Sequence, residues 1–219
     1  MNNFSTLLVA NRGEIASRVF RTAKKMGLKT VAIYTEADRH SPYVNDADLS
    51  VKIESSYLDS DAVIAAAKLT GAQAIHPGYG FLSENHAFAK KVQNEGIIWV
   101  GPNPKSIQDM GDKIEAKTHA SKAKLPILES ADDAKSAKSI GYPLMIKAAS
   151  GGGGKGMRIV NDESELNDSI ELAKQEAMNA FGDDRIFIER YIQHSRHIEV
   201  QIIADKHGSV LHLGERECS

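Results

Sequence analysis

Lys147-Ala148-Ala149-Ser150-Gly151-Gly152-Gly153-Gly154-Lys155-Gly156-Met157 encloses four successive glycines between two lysines. Glycine has no Cβ, so several backbone N–H groups in such a run can turn toward one anion, and the ammonium groups supply the charge a polyphosphate attracts. Three phosphate loops share these features. The P-loop pattern G-x-x-x-x-G-K-[ST] fails, because Ala149 stands where the first glycine is needed and Gly156 follows Lys155 in place of Ser or Thr. Gly151, Gly153 and Gly156 satisfy G-x-G-x-x-G, but a dinucleotide loop must open a helix whose N-terminus receives the pyrophosphate. Here Met157-Arg158-Ile159-Val160, closed by Asn161-Asp162, reads as a strand, so the glycines join it to Pro143-Leu144-Met145-Ile146-Lys147 as a hairpin. A kinase flap has its phosphate lysine downstream, whereas Lys147 lies upstream. A flexible linker would lack the flanking strands and lysines. The remaining reading is a strand-glycine-strand flap over phosphates.

Upstream, Thr6-Leu7-Leu8-Val9-Ala10 reads as a buried strand, Asn11-Arg12-Gly13-Glu14 as a turn, and Ile15, Val19, Ala23 and Met26 as one face of a helix that Gly27 stops. Thr30 to Tyr34 resumes a strand, which completes a βαβ unit. The grammar repeats through a strand near 49–53, a helix from Ala62 to Leu69, a strand at 73–75, a helix from Ala87 to Glu95 and a strand at 97–100, predicting a doubly wound parallel sheet. Glu36 and Asp38 stand where a ribose-binding acid would, but the first turn has one glycine and a bulky arginine, which argues against a dinucleotide. His76-Pro77-Gly78-Tyr79-Gly80 follows a strand end, where ligand loops gather; a tight turn with a hydrogen-bonded His76 is the equal alternative. Gly101-Pro102-Asn103-Pro104 marks a boundary, and two short helical stretches follow. Lys113 in the second could reach a phosphate or be solvated surface, and spacing alone leaves both open.

Downstream, Asp162 and Glu165 resemble a capping box for a helix with Leu166, Ile170, Ala173, Ala177 and Phe181 on one face. Ile186 to Ile192 is an apolar strand with a mixed polar and aromatic end, an edge on which adenine can stack and hydrogen bond, or an ordinary strand end. Arg196 to Ile203 alternates cleanly, 205–209 turns, and Val210 to Leu213 returns as an antiparallel partner. His194 and His197 lack a third ligand, so no metal site is expected there.

A composition of 42% hydrophobic and 26% charged residues describes a globular chain, and a net charge of −2 gives no basic face for nucleic acid. No apolar run approaches the roughly 18 residues of a membrane span. Cys218 is alone, and the first residues have no basic and apolar leader pattern, so a cytoplasmic chain is expected.

Several stretches together resemble the N-terminal portion of biotin carboxylase, the ATP-grasp component of acetyl-, propionyl- and methylcrotonyl-CoA and pyruvate carboxylases. They are Ala10 to Ala16, Ala74 to Asn85, Met110-Gly111-Asp112-Lys113, Gly141 to Met157, Glu189-Arg190-Tyr191-Ile192, Arg196 to Glu199 and Glu215 to Ser219, which cover nearly the full length in order. The resemblance implies an α/β chain, with an N-terminal doubly wound parallel sheet of the Rossmann-like pre-ATP-grasp type, then an α+β ATP-grasp lid and the first strands of the ATP-grasp core. It implies divisions at 1–101 (N-terminal domain), 102–130 (helical linker), 131–192 (lid) and 193–219 (start of the core). Lys113 and Lys147 would contact ATP phosphates, with Gly153 and Gly154 closing over them. Glu189, Arg190, Tyr191 and Ile192 would hold the adenine, His197 would sit near the nucleotide, and Glu199 and His76 are weaker candidates.

The implied cofactors are ATP, magnesium with its ligands outside this chain, and biotin as a substrate carried by another chain or domain. The implied partners are biotin carboxyl carrier and carboxyltransferase components and a second copy in a homodimer, with no nucleic acid and no membrane. Against the family pattern, 53–58 and 125–134 read as several residues short, which loops tolerate. The metal-ligating carboxylates and bicarbonate-binding arginine of the family have no counterpart here. No catalytic or metal residue is therefore expected within the chain, which reads as truncated and inactive alone. The alternatives are a non-catalytic nucleotide-binding or assembly module of the same fold, or another ATP-grasp ligase.

Overall fold

The computed structural model describes residues 4–150, 156–205 and 207–218, and the chain divides into two compact units, 1–123 and 124–219. The first runs β1 (Thr6–Val9), α1 (Gly13–Lys25), β2 (Lys29–Tyr34), α2 (Pro42–Asp46), β3 (Leu49–Lys52), α3 (Ser60–Thr70), β4 (Ala74–His76), α4 (His86–Asn94), β5 (Ile98–Trp99), α5 (Pro104–Gly111) and α6 (Lys113–Lys122). Its five strands are parallel in the order β3-β2-β1-β4-β5. Central β1 is buried on both faces, which explains its unbroken apolar run. Leu8 joins Val63, Ile75, Phe88 and Val92 on the face that α3 and α4 cover, while Val9 joins Phe20, Tyr43 and Val44 on the face of α1 and α2. Helices on both faces make this unit doubly wound.

The strand order reverses between β1 and β4, the place where open α/β sheets present their loops to ligands. Buried Asn11 ties the two loops together there, donating its amide to the carbonyls of Pro77 at 2.9 Å and Tyr79 at 2.8 Å. Gly78 has φ +68, and a Cβ on it would stand 2.7 Å from Asn11 Nδ2, so the turn requires glycine. Asp38 is buried and already engaged within the fold. Its carboxylate accepts from the Arg12 guanidinium and, at 2.6 Å, from the Tyr57 hydroxyl. Hydrogen bonding from Arg12 outweighs burial and holds its pKa down to about 2.

The second unit runs β6 (Ser130–Ala131), α7 (Ala134–Ala137), β7 (Leu144–Ala148), β8 (Met157–Val160), α8 (Leu166–Phe181), β9 (Ile186–Arg190), β10 (Ile198–Ala204) and β11 (Val210–Glu217). Four antiparallel strands form a sheet in the order β6-β9-β7-β8. Leu144, Ile146, Val160 and Ile188 pack against Leu166, Ile170 and Ala173 of α8, the helix face expected from the sequence. Phe181 is only half-buried. Both carboxylates expected at its start meet backbone N–H groups, Asp162 that of Ser164 at 2.8 Å and Glu165 that of Asn161 at 3.2 Å. Gly182, at φ +69, ends the helix. Strands β10 and β11 form a separate antiparallel ribbon.

The sequence reading passed over α2, α7, β6 and a 3-10 turn at Glu36–Asp38. At two to five residues each, these elements are too short to display a period. The alternation expected along 196–203 is not matched by alternating burial, because both strands of the ribbon are exposed along almost their whole length, and the ladder shifts register between Val200 and Ile202. Among the described residues no helix is long and apolar enough to cross a membrane.

Candidate functional site

The side chains that β7 does not give to its core define a second face of the sheet. Leu144, Ile146 and Ala148 are buried toward α8, so the period of two turns Met145 and Lys147 the other way. The ladders place Met145 opposite Ile159 and Glu189, and Lys147 opposite Met157 and Phe187. This second face, termed the open face, therefore carries Met145, Lys147, Met157, Ile159, Phe187 and Glu189; it is exposed at Met157 and Ile159 of β8 and buried at Phe187 and Glu189 of β9. Lys147 and Glu189 are diagonal neighbours across adjacent strands, within reach for long side chains, and they form an ion pair. The Glu189 side chain is 8% exposed and that of Lys147 28%, so the carboxylate is the inner partner. A carboxylate this deep requires a donor.

Gly153 and Gly154 lie outside the described residues, but both ends of the glycine run are fixed. The Gly156 carbonyl accepts from Ala148 N at 3.0 Å, and Ala149 N donates to the Arg185 carbonyl at 2.9 Å. Ser150 Oγ donates to Asp183 at 2.5 Å, and Arg185 holds the same carboxylate with its guanidinium at 2.6 Å. Hydrogen bonds from Arg185 and then Ser150 hold the Asp183 carboxyl well below the usual range. Gly156 has φ +66, and a Cβ there would stand 2.9 Å from the Cβ of Ala148. The described residues on either side of the glycines, Ser150 and Gly156, are thus held at the end of the sheet, Gly156 against Ala177 of α8.

The remaining expected residues divide among several places. Past Glu189, Arg190 reverses direction and its guanidinium donates to the Ile140 carbonyl, while Tyr191 N donates to the Pro143 carbonyl at 3.0 Å and Ile192 is exposed. The structure therefore brings Lys147 and Glu189 together and turns Arg190 elsewhere. Glu199 lies on β10 and pairs with Arg216 across the ribbon, its carboxyl lowered by hydrogen bonding from Cys218 and by the Arg216 charge. The His197 carbonyl accepts from Cys218 N at 2.8 Å.

Two expected residues belong to the first unit. Lys113 is the first residue of α6, behind Asp112, whose carboxylate caps the helix by accepting from Ile114 N at 2.9 Å and Glu115 N at 3.1 Å. His76 ends β4, and its Nδ1 accepts from Gly78 N at 2.9 Å, which fixes the turn and puts the neutral ring's proton on Nε2. Burial, with a smaller contribution from Arg18, pushes its pKa below the ordinary value. Among the described residues no three His, Cys, Asp or Glu side chains gather as metal ligands. Sequence reasoning missed Met145, Met157, Ile159 and Phe187. The period of two from Lys147 marks Met145, but the other three need the strand pairing.

Comparison with known proteins gives this arrangement its context. Residues 3–107 match the family described as biotin carboxylase, N-terminal domain, and residues 105–219 match the carbamoyl-phosphate synthase L chain, ATP binding domain. A mitochondrial propionyl-CoA carboxylase alpha chain from Sus scrofa is 52% identical over 229 residues. That alignment takes in 99% of this chain and 31% of the relative, so the chain spans about a third of the length of the curated relatives it matches. The crystal structure of a biotin carboxylase-beta-gamma-ATP complex from Campylobacter jejuni superposes with a TM-score of 0.95 at 45% identity, covering 99% of this chain and 52% of that one. The biotin carboxylase domain dimer of the Hydrogenobacter thermophilus 2-oxoglutarate carboxylase, solved with MgADP, ADP and bicarbonate, gives 0.96 at 44% identity, covering 100% and 51%. A doubly wound first unit, a β7–β8 hairpin in a helix-backed sheet, and these matches along the whole chain place it in the biotin carboxylase family, as an N-terminal domain followed by an ATP-binding domain.

Proposed function

We propose that the chain is the ATP-binding portion of a biotin carboxylase, an ATP-dependent ligase. In that reaction bicarbonate attacks the γ-phosphorus of ATP, releasing ADP and forming carboxyphosphate, whose carboxyl group passes to the ureido nitrogen of biotin as inorganic phosphate leaves and takes up the nitrogen's proton. The observation that carries the reading is the Lys147–Glu189 pair on an open sheet face at the foot of the glycine hairpin. Such a face offers an apolar surface in Met145, Met157 and Ile159, with an ammonium donor and a carboxylate acceptor side by side. That combination suits a purine joined to a phosphate chain.

In this reading Lys147 and Lys113 contact the nucleotide phosphates, and Gly153 and Gly154 close over them. Glu189 to Ile192 hold the adenine, with His197 near it and Glu199 and His76 as outlying candidates. Domain limits of 1–101, 102–130, 131–192 and 193–219 express the same division of labour. Magnesium would accompany the ATP phosphates with ligands from outside this chain. Positioning and fixed charge are what this chain's own residues contribute to phosphoryl transfer. Biotin arrives on a carrier domain, a carboxyltransferase uses the product, a second copy forms a homodimer, and the location is cytoplasmic. These partners follow from the family, whose solved members include a domain dimer.

The test is biotin-dependent ADP release from ATP and bicarbonate by the complete carboxylase, wild type against Lys147→Ala. Loss of a charge-assisted contact to the transferring nucleotide is expected to lower kcat/KM by about 10²-fold or more. Undiminished turnover would remove Lys147 from the site.

A further inference from the structure

We infer that Glu189 is a positioning residue that aims the Lys147 ammonium and masks its charge, so that Lys147 meets a nucleotide as a hydrogen-bond donor and not as an unbalanced cation. This rests on the nucleotide reading above. Glu189 sits on β9, which is hydrogen bonded on both sides, opposite Ser130 of β6 and Met145 of β7. Its backbone is thereby held, and its carboxylate is buried in the sheet face. Lys147 has a four-carbon stem with many rotamers, and the nearby carboxylate selects among them.

The electrostatic consequence follows from geometry. A phosphate lying outside the face meets the ammonium first, since Lys147 is the more exposed partner, but the carboxylate behind it cancels most of the long-range attraction. What survives is short-range and directional. A bare lysine in the same place would favour any polyanion in proportion to its charge. The pair favours a group whose acceptor fits the Lys147 donor, and it leaves the bulk of the phosphate charge to other cations.

The test compares affinities for ATP and for adenosine, which carries no phosphate, in wild type, Glu189→Gln, Glu189→Met and Glu189→Asp. Gln keeps the size and an acceptor oxygen but removes the charge. Met removes the charge at similar volume, so the result is readable if either variant folds. Unmasking one ammonium is expected to raise the ratio of ATP to adenosine affinity about tenfold in Gln and Met, as for a charge-assisted contact replacing a compensated one. Glu189→Asp is expected to keep the wild-type ratio. A ratio unchanged in Gln and Met, or ATP and adenosine weakened equally, would overturn the inference and leave Glu189 a scaffold residue. An Asp variant with the raised ratio would overturn it too. Wild-type protein that binds neither compound would overturn the nucleotide reading itself, and the inference with it.

Discussion

Gly156 and Asp38 show how single residues hold the two units in shape. At Gly156 a positive φ coincides with close packing, 2.9 Å from a built Cβ to the Cβ of Ala148 and 3.6 Å to that of Ala177. Gly156→Ala is expected to destabilise the second unit by about 1–3 kcal/mol, from backbone strain together with overpacking, read as a lower denaturant midpoint. Asp38 makes a pH-dependent contribution. Its folded pKa, about 2, lies below the ordinary carboxylate value, so the folded state binds the proton less readily than the unfolded one. The stability it contributes is complete above the unfolded pKa of about 4 and is lost as pH falls through about 2. Asp38→Asn is expected to flatten that part of the urea-midpoint profile between pH 4 and 2, relative to wild type. A variant with the wild-type slope there would show that other carboxylates carry it. From the sequence Asp38 could be rejected as a ribose ligand, but its partners Arg12 and Tyr57 lie 26 and 19 residues away and only the folded sheet names them.

At the scale of elements, the glycine hairpin depends on a sheet whose inner face is largely aliphatic, with Arg158, opposite Ile146, paired to Glu176 of α8. Ile188, fully buried in the central strand β9, stands opposite Ile146 and Ala131 and touches the α8 core. Ile188→Ala is expected to cost about 2–5 kcal/mol, the range for a large-to-small change in a packed interior, measured by chemical denaturation. The strands on each side of the glycines, α8 and the βαβ repeat were legible because each is long enough to show its period, or is bounded by Gly, Asn or Asp. The open face was half legible. Alternation turns Lys147 away from Ile146, yet nothing local announces that a glutamate 42 residues later stands beside it, because antiparallel register is a property of two strands at once. Arg190 is the converse case, a neighbour of Glu189 in sequence that the same alternation sends to the Ile140 carbonyl.

For the whole molecule, the chain combines a parallel unit in which Asn11 pins the loops at the strand-order reversal with an antiparallel unit whose second face carries the Lys147–Glu189 ion pair. The βαβ grammar of the first unit and the hairpin around the glycine run were legible because they depend on backbone period and on residues without Cβ, whereas the ATP-grasp class of the second unit came from the family resemblance. The partners of Lys113, His76 and His197 were not legible, because solvation, turn formation and ligand contact ask for the same residue types. Calorimetric titration of ATP into wild type and Lys147→Ala tests the central claim most directly. Wild type is expected to give a saturable isotherm in the micromolar to millimolar range, and the variant to bind at least about tenfold more weakly, as loss of one charge-assisted contact requires. Equal heats and equal affinities from the two proteins would contradict a nucleotide site on this face.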